Sequence, residues 1–129
     1  MLEVEYNSIS GRIIKAAIEV HNVLGPGLLE SVYEHCLLEE FRRTGLNAKK
    51  HVSLPLYYKG NKLEKEFVID IVVEDKVIVE LKTVEAVLPV HEYQLQTYLK
   101  LSGLKLGLLI NFNVVQLKDG IHRKINGTL

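Results

Sequence analysis

The chain carries, between Phe67 and Lys82, the stretch FVIDIVVEDKVIVELK. Its two apolar, β-branched runs flank the short polar segment Glu74–Lys76, and this pattern is typical of a buried β-hairpin. Each run nevertheless contains ionisable side chains, Asp70 in the first and Glu80 with Lys82 in the second. Because an ionised group in a buried strand is costly unless it is paired or bound to a metal, these three residues are the first candidates for a functional site.

The length of the polar segment sets the register of this hairpin. A three-residue loop over Glu74–Lys76 places Asp70 directly across from Glu80, with Cβ atoms about 5 Å apart, and strand alternation places Lys82 on the face of Glu80. A loop one residue shorter or longer would break this match unless a bulge restored it. Two carboxylates this close repel, so one must hold a proton or a cation must lie between them. Hard divalent ions such as Mg²⁺ bind carboxylate oxygens, so the sequence indicates a metal site.

The composition is that of an ordinary soluble domain. With 129 residues, 47% of them hydrophobic and 25% charged, the chain is expected to form one domain over residues 1–129. A net charge of zero argues weakly against strong non-specific binding to nucleic acid. The lone Cys36 excludes an internal disulfide and favours the cytoplasm. We find no leader-like or membrane-spanning apolar run and expect no membrane association.

Hydrophobic periodicity and turn residues predict an alternation of helices and strands. In chain order these are helix 8–24, helix 28–44, strand 50–58, a long strand ending near residue 73, strand 77–82, helix 89–102, strand 106–111, and a terminal hairpin of 114–118 with 121–125. Pro55 predicts that its strand lies at a sheet edge, and Asp119-Gly120 predicts the tight terminal turn. The strand–helix–strand unit predicts a right-handed parallel crossover. The fold class is therefore α/β, a mixed sheet flanked by helices on both faces.

An Asp on one strand and Glu-x-Lys on the next, followed by a helix and a parallel strand, resembles the active-site pattern of the PD-(D/E)XK nuclease superfamily. The matching residues are Asp70 and Glu80-Leu81-Lys82. Ile69 stands where the name of the superfamily has a proline. That proline is often absent in the superfamily, so the departure costs the match little.

A narrower resemblance lies outside the hairpin. The segment GLLESVY at residues 27–33 resembles the signature of the small GxxExxY proteins. The segments HEYQLQTYL at 91–99 and GLLINF at 107–112 are also similar to that family, and the likeness spans roughly residues 9–126. It implies a restriction-endonuclease-like fold with an αβββαβ core.

The resemblance also implies a role for particular residues. Asp70 and Glu80 would bind one or two Mg²⁺ or Mn²⁺ ions, and the backbone carbonyl of Leu81 would complete the site. Lys82 would orient or activate the attacking water and neutralise developing charge. The supporting residues would be Glu30, near the metal, and Gln94, near the lysine.

Each of these assignments has a structural alternative. Asp70, Glu80 and Lys82 would also fit a buried ion-pair group, although two acids and one base leave a negative charge unpaired. A glutamate such as Glu30 in the first turn of a helix is stabilised by the helix dipole. Gln94 would also fit a buried residue whose amide is fully hydrogen-bonded. The sequence alone leaves these alternatives open.

We therefore expect a metal-dependent nuclease that hydrolyses nucleic-acid phosphodiester bonds, DNA in preference to RNA. The alternatives are a catalytically inactive binding or regulatory module on the same fold, and a hydrolase of a small phosphoester. Basic clusters within residues 42–51 and 118–124 are either solvated faces or contacts for a nucleic-acid backbone. A homodimer would let so small a chain cover a duplex.

Overall fold

The computed structural model describes residues 2–129 of the chain. Its elements follow the predicted order as far as β4. Their bounds are α1 Leu2–Leu24, α2 Glu30–Thr44, β1 Ala48–Tyr58, β2 Asn61–Val73, β3 Val77–Lys82, α3 Pro89–Ser102, β4 Leu106–Asn111, a 3₁₀ turn at Leu117–Gly120, and β5 Ile121–Ile125. Within the described residues, no helix combines the length and apolar character needed to cross a bilayer.

The five strands form one sheet in the order in which they occur along the chain. The strands β1, β2 and β3 are antiparallel neighbours, β3 and β4 run parallel to each other, and β5 is antiparallel to β4. Pro55 lies in β1, which is an edge strand as predicted. The α/β class, with a mixed sheet and one parallel crossover through α3, is therefore confirmed.

Helices cover both faces of the sheet and enclose two hydrophobic cores. One core contains residues of α1 and α2, and the other contains residues of α3. The central strand β3 contributes Val79 and Leu81 to the first core and Ile78 to the second. Because side chains alternate along a strand, Glu80 and Lys82 lie on the α3 side of the sheet.

The β1–β2 hairpin passes from one core to the other part-way along its length. Ile71 packs in the core of α1 and α2, whereas Ile69 packs in the core of α3. Residues two apart on a strand normally share a face, so the regular pleat is interrupted between them. The interruption coincides with Asp70 and, on β1, with His51, which has a left-handed φ of 54°.

The predicted terminal hairpin is wrong. Residues 114–116 are not a strand, Leu117–Gly120 forms a 3₁₀ turn, and β5 pairs with β4 instead. Gly120 serves a close approach rather than a tight hairpin turn, because a Cβ atom there would lie 2.1 Å from the carbonyl oxygen of Asn111. The chain therefore returns directly against the end of β4.

Candidate metal centre

The turn between β2 and β3 has the predicted length. The backbone N–H of Lys76 donates to the carbonyl of Val73 at 3.0 Å, and the strands pair in the predicted register as far as Ile71 with Val79. The backbone ladder stops there. The next residues in this register are the two carboxylates.

At that position the side chains of Asp70 and Glu80 accept the hydrogen bonds that backbone carbonyls accept elsewhere in the ladder. The backbone N–H of Asp70 donates to Glu80 Oε2 at 2.7 Å. In return, the backbone N–H of Leu81 donates to Asp70 Oδ2 at 2.8 Å. These two bonds fix both carboxyl groups and leave one oxygen of each free of backbone donors.

Burial makes this carboxylate pair hard to ionise fully. Glu80 is only 5% exposed. Its desolvation, followed by the negative charge of Asp70, raises the pKa of Glu80 to about 8. The carboxyl groups are also close enough to share a hydrogen bond when one of them is protonated. In the absence of a cation, Glu80 therefore keeps a proton at neutral pH, as expected for two acids that share one site.

Glu30 and Lys82 lie within electrostatic range of this pair. Glu30 begins α2 and is partly buried. Its pKa is raised by desolvation and then by the charge of Asp70, while the charge of Lys82 lowers it. Lys82 is the last residue of β3, and none of the ion pairs formed within residues 2–129 includes it. A closed structural ion pair therefore does not account for this lysine.

The family model of the PD-(D/E)XK nuclease superfamily matches residues 7–124. The chain belongs to this superfamily. Comparisons with curated proteins and with solved structures give no significant match. Three helices around a five-stranded mixed sheet agree with the restriction-endonuclease-like fold of these nucleases. The narrower GxxExxY assignment stays a prediction.

The residues of the GxxExxY segment do have a clear structural task in this PD-(D/E)XK chain. The fully buried hydroxyl of Tyr33 donates to the carbonyl of Gly25 at 2.5 Å and accepts from the N–H of Leu28 at 3.2 Å. Its ring stacks on Phe112 with centroids 4.5 Å apart. Tyr33 thus ties down the loop that leads into α2, and with it the position of Glu30.

Gln94 is exposed on α3, so the alternative of a buried, satisfied glutamine is wrong. Within residues 2–129, no side-chain hydrogen bond joins Gln94 to the carboxylate pair or to Lys82. The residue of α3 that reaches the site is Tyr98, one turn later and 5% exposed. Burial, followed by the charges of Glu80 and Asp70, raises the pKa of Tyr98. Its spacing of four residues from Gln94 was the available sequence signal.

Asn111 is a second residue whose role the sequence did not reveal. It is buried at the end of β4 and pairs with Lys82 of β3. Its Oδ1 accepts from the N–H groups of Val84 and Asn113 at 3.1 and 3.2 Å, and its Nδ2 donates to the carbonyl of Val84 at 2.9 Å. Asn111 therefore holds the chain that leaves Lys82.

The donor set fits a divalent ion only if backbone oxygen takes part. Within residues 2–129, no three His, Cys, Asp or Glu side chains cluster closely enough to hold a metal by themselves. The carboxylates of Asp70 and Glu80 are close together, and hard cations also bind backbone carbonyls and waters. A cation in place of the Glu80 proton would remove the repulsion between them. A divalent ion at this pair would therefore need backbone carbonyls or waters as its further ligands.

The basic clusters at 42–51 and 118–124 are largely neutralised by acids. Arg42 and Arg43 both bind Glu39, and the other pairs are Lys49 with Asp75, His51 with Glu34, and His122 and Lys124 with Glu92. These clusters are therefore poor candidates for a strongly cationic nucleic-acid surface.

Proposed function

We propose that this chain is a Mg²⁺- or Mn²⁺-dependent nuclease that hydrolyses phosphodiester bonds, with DNA preferred over RNA. The observation that carries the proposal is the Asp70–Glu80 carboxyl pair, in which Glu80 is buried, Asp70 is partly buried, and each accepts a hydrogen bond from a backbone N–H of the other's strand. Two acids this close must hold a proton or a cation between them. Membership of the nuclease superfamily supports the same reaction class. Asp70, Glu80 and the carbonyl of Leu81 would hold the ion, and Glu30 would support it.

The ion would supply a Lewis acid that activates water and neutralises charge on the phosphate. The side chains of this chain supply the remaining parts of the mechanism. Lys82, free of ion pairs, would donate to the phosphate or to the attacking water as a point charge. Glu30, whose pKa is raised, would accept a hydrogen bond or a proton from that water. Gln94 lies on the exposed surface of α3 and would contact the substrate rather than the metal.

Cleavage assays with one lysine variant test this proposal. Labelled single-stranded, duplex and branched DNA, together with RNA, are incubated with Mn²⁺ or Mg²⁺ and with wild type or Lys82→Ala. Wild type should cleave at least one substrate, DNA faster than RNA, and Lys82→Ala should be slower by about 10²-fold or more. Lys100→Ala, which alters an exposed lysine of α3, is the matched control and should keep wild-type activity. Equal inertness of wild type and Lys82→Ala on every substrate would overturn the proposal.

An inactive module on the same fold is the second candidate, because no three acidic or histidine side chains cluster as ligands within residues 2–129. Metal binding separates the two candidates without any cleavage assay. For the nuclease, Mn²⁺ should bind to wild type and not to Asp70→Asn in a calorimetric titration. A module that has lost its metal would give no heat of binding in either protein.

A further inference from the structure

The outer half of the β1–β2 hairpin extends beyond the rest of the sheet. β3 pairs only with residues 71–73 of β2, so the outer part of β2 has β1 as its one neighbour within the described chain. The hairpin closes through a two-residue turn of Lys59 and Gly60, whose φ angles are 49° and 83°. Two positive φ angles are typical of the tight turn whose twist matches that of the flanking strands. Residues 57–66 of this arm, as we call it, are exposed.

The two sides of the arm differ in what they expose. Phe67 contacts Tyr98 of α3, with ring centroids 5.1 Å apart, so Phe67 marks the α3 side. Leu54 pairs with Phe67, and alternation along β1 from Leu54 puts Tyr58 on this side as well. The pairing shifts register between Pro55 and Tyr57, so residues 63–65 of β2 form an irregular stretch. The Nζ of Lys59 lies 5.4 Å from the centre of the Tyr58 ring. The α3 side of the arm is therefore aromatic and cationic.

The opposite side of the arm carries one acid and one base. Alternation along β1 places Pro55 and Tyr57 there, together with their partners Glu66 and Lys62. Tyr57 and Tyr58 are each 62% exposed, so the sides differ in charge and not in the exposure of their tyrosines. A polyanion would be attracted by the α3 side, where Lys59 lies over the Tyr58 ring, more than by the side on which Glu66 and Lys62 balance each other.

The α3 side of the arm also leads to the candidate metal centre. Beyond Tyr58 come Phe67 and then Tyr98, which lies against the carboxylate pair. At about 3.3 Å per residue, the arm spans roughly 25 Å between its turn and Asp70. Lys59 forms no ion pair within residues 2–129, in contrast to the basic clusters described above.

We propose that the α3 side of the arm is a binding track for single-stranded nucleic acid, with a base stacked on Tyr58 and a phosphate beside Lys59. An exposed tyrosine stacks only on a base whose face is free, which a duplex does not offer outside its ends. This inference rests on the proposed nuclease function for the identity of the polymer. Binding itself is measurable without cleavage.

The test compares residues on opposite sides of the arm. Fluorescence anisotropy follows binding of a labelled single strand of about 12 nucleotides, within the usual range of single-strand sites, in EDTA so that no cleavage occurs. Tyr58→Ala should weaken binding by about fivefold or more, while Tyr58→Phe should bind as wild type does. Tyr57→Ala, equally exposed on the other side, should stay within about twofold, on the order of 0.4 kcal/mol at RT ≈ 0.59 kcal/mol.

Salt dependence gives a second readout that a merely structural effect would not change. Removal of one phosphate contact should lower the slope of log affinity against log salt by about 0.7 for a single strand. Lys59→Gln should show this change, and Lys62→Gln, on the opposite side, should not. Circular dichroism melts confirm that each variant is folded, as expected for exposed positions. Equal losses in Tyr57→Ala and Tyr58→Ala, or duplex binding as tight as single-strand binding, would overturn the track.

The outcomes also separate the track from the nuclease reaction. If wild type cleaves DNA with Mn²⁺ and Tyr58→Ala keeps the same KM for a single strand, the track is wrong and the nuclease stands. If single-strand binding depends on Tyr58 while no metal produces cleavage, the track stands and the nuclease proposal falls.

Discussion

The shared proton of the carboxylate pair predicts an unusual dependence of stability on pH in the metal-free protein. The pKa of Glu80 is about 8 in the folded chain, against 4.5 for an ordinary glutamate. Between these values the folded state holds a proton that the unfolded state has released, so the free energy of unfolding falls as pH rises. Below about pH 4.5 the effect is absent, and above about pH 8 it is complete.

The size of the effect follows from the same two pKa values. At about 1.4 kcal/mol for each pH unit between them, the free energy of unfolding should fall by on the order of 2–3 kcal/mol between about pH 5 and pH 7. For a chain of this length this corresponds to a drop in Tm of about 10 °C. Glu80 is 5% exposed, so solvent screening removes little of this effect.

The perturbation is Glu80→Gln, and the assay is urea unfolding in EDTA at a series of pH values. The amide of glutamine accepts from the N–H of Asp70 and donates to its carboxylate, so the variant should fold and lose most of the pH dependence. Glu64→Gln, an exposed change on β2, should keep the wild-type dependence. A wild-type stability that is flat between pH 5 and pH 8, or an unchanged slope in Glu80→Gln, would refute the reasoning.

Three further outcomes are expected. Mn²⁺ at about 100 times its Kd should raise the free energy of unfolding of wild type by about 2.7 kcal/mol. Binding should also release about one proton per ion at pH 7, which calorimetry in buffers of different ionisation enthalpy measures. Asp70→Asn should show neither effect. Gly120→Ala should lower the free energy of unfolding by about 3 kcal/mol or more, because its Cβ atom would meet a backbone oxygen at 2.1 Å. Gly11→Ala, in open space on α1, should raise it by about 0.5–1 kcal/mol. Thermal melts that give the two variants the same Tm would contradict this. Tyr33→Phe should lower the free energy of unfolding by about 1–3 kcal/mol and slow cleavage, because the loop before Glu30 is no longer held. An unchanged cleavage rate with a lower Tm would show that the loop does not position Glu30.

The parts of the fold that local chemistry determines were predictable from the sequence. The three-residue segment Glu74–Lys76 sets a register that needs no information from elsewhere. The strands keep it as far as Ile71 with Val79, and the Asp70 and Glu80 side chains meet just beyond. Pro55 excluded a central strand on the same local grounds. Such features depend on residues that are close along the chain.

Features that depend on distant contacts were not predictable in the same way. Asp119-Gly120 has the local chemistry of a tight turn, but the glycine is needed for contact with the carbonyl of Asn111. His51 takes a left-handed conformation within a strand. A glycine at this position would have indicated that conformation in the sequence, and a histidine does not. Tyr98 reaches the carboxylates only because α3 packs across the sheet. In each case the determining partner lies far away in sequence.

The β1–β2 hairpin passes between the two cores at Asp70, and this point divides the hairpin into an inner part that holds the carboxylates and an outer part that extends into solvent. Inside that point, β2 is held by neighbours on both sides, so substitutions there would disturb the carboxylates. Outside it, the ribbon is free to lengthen, shorten or change its surface residues while the reacting groups keep their places. Divergence of this chain toward new substrates would therefore be least constrained at the tip of the ribbon.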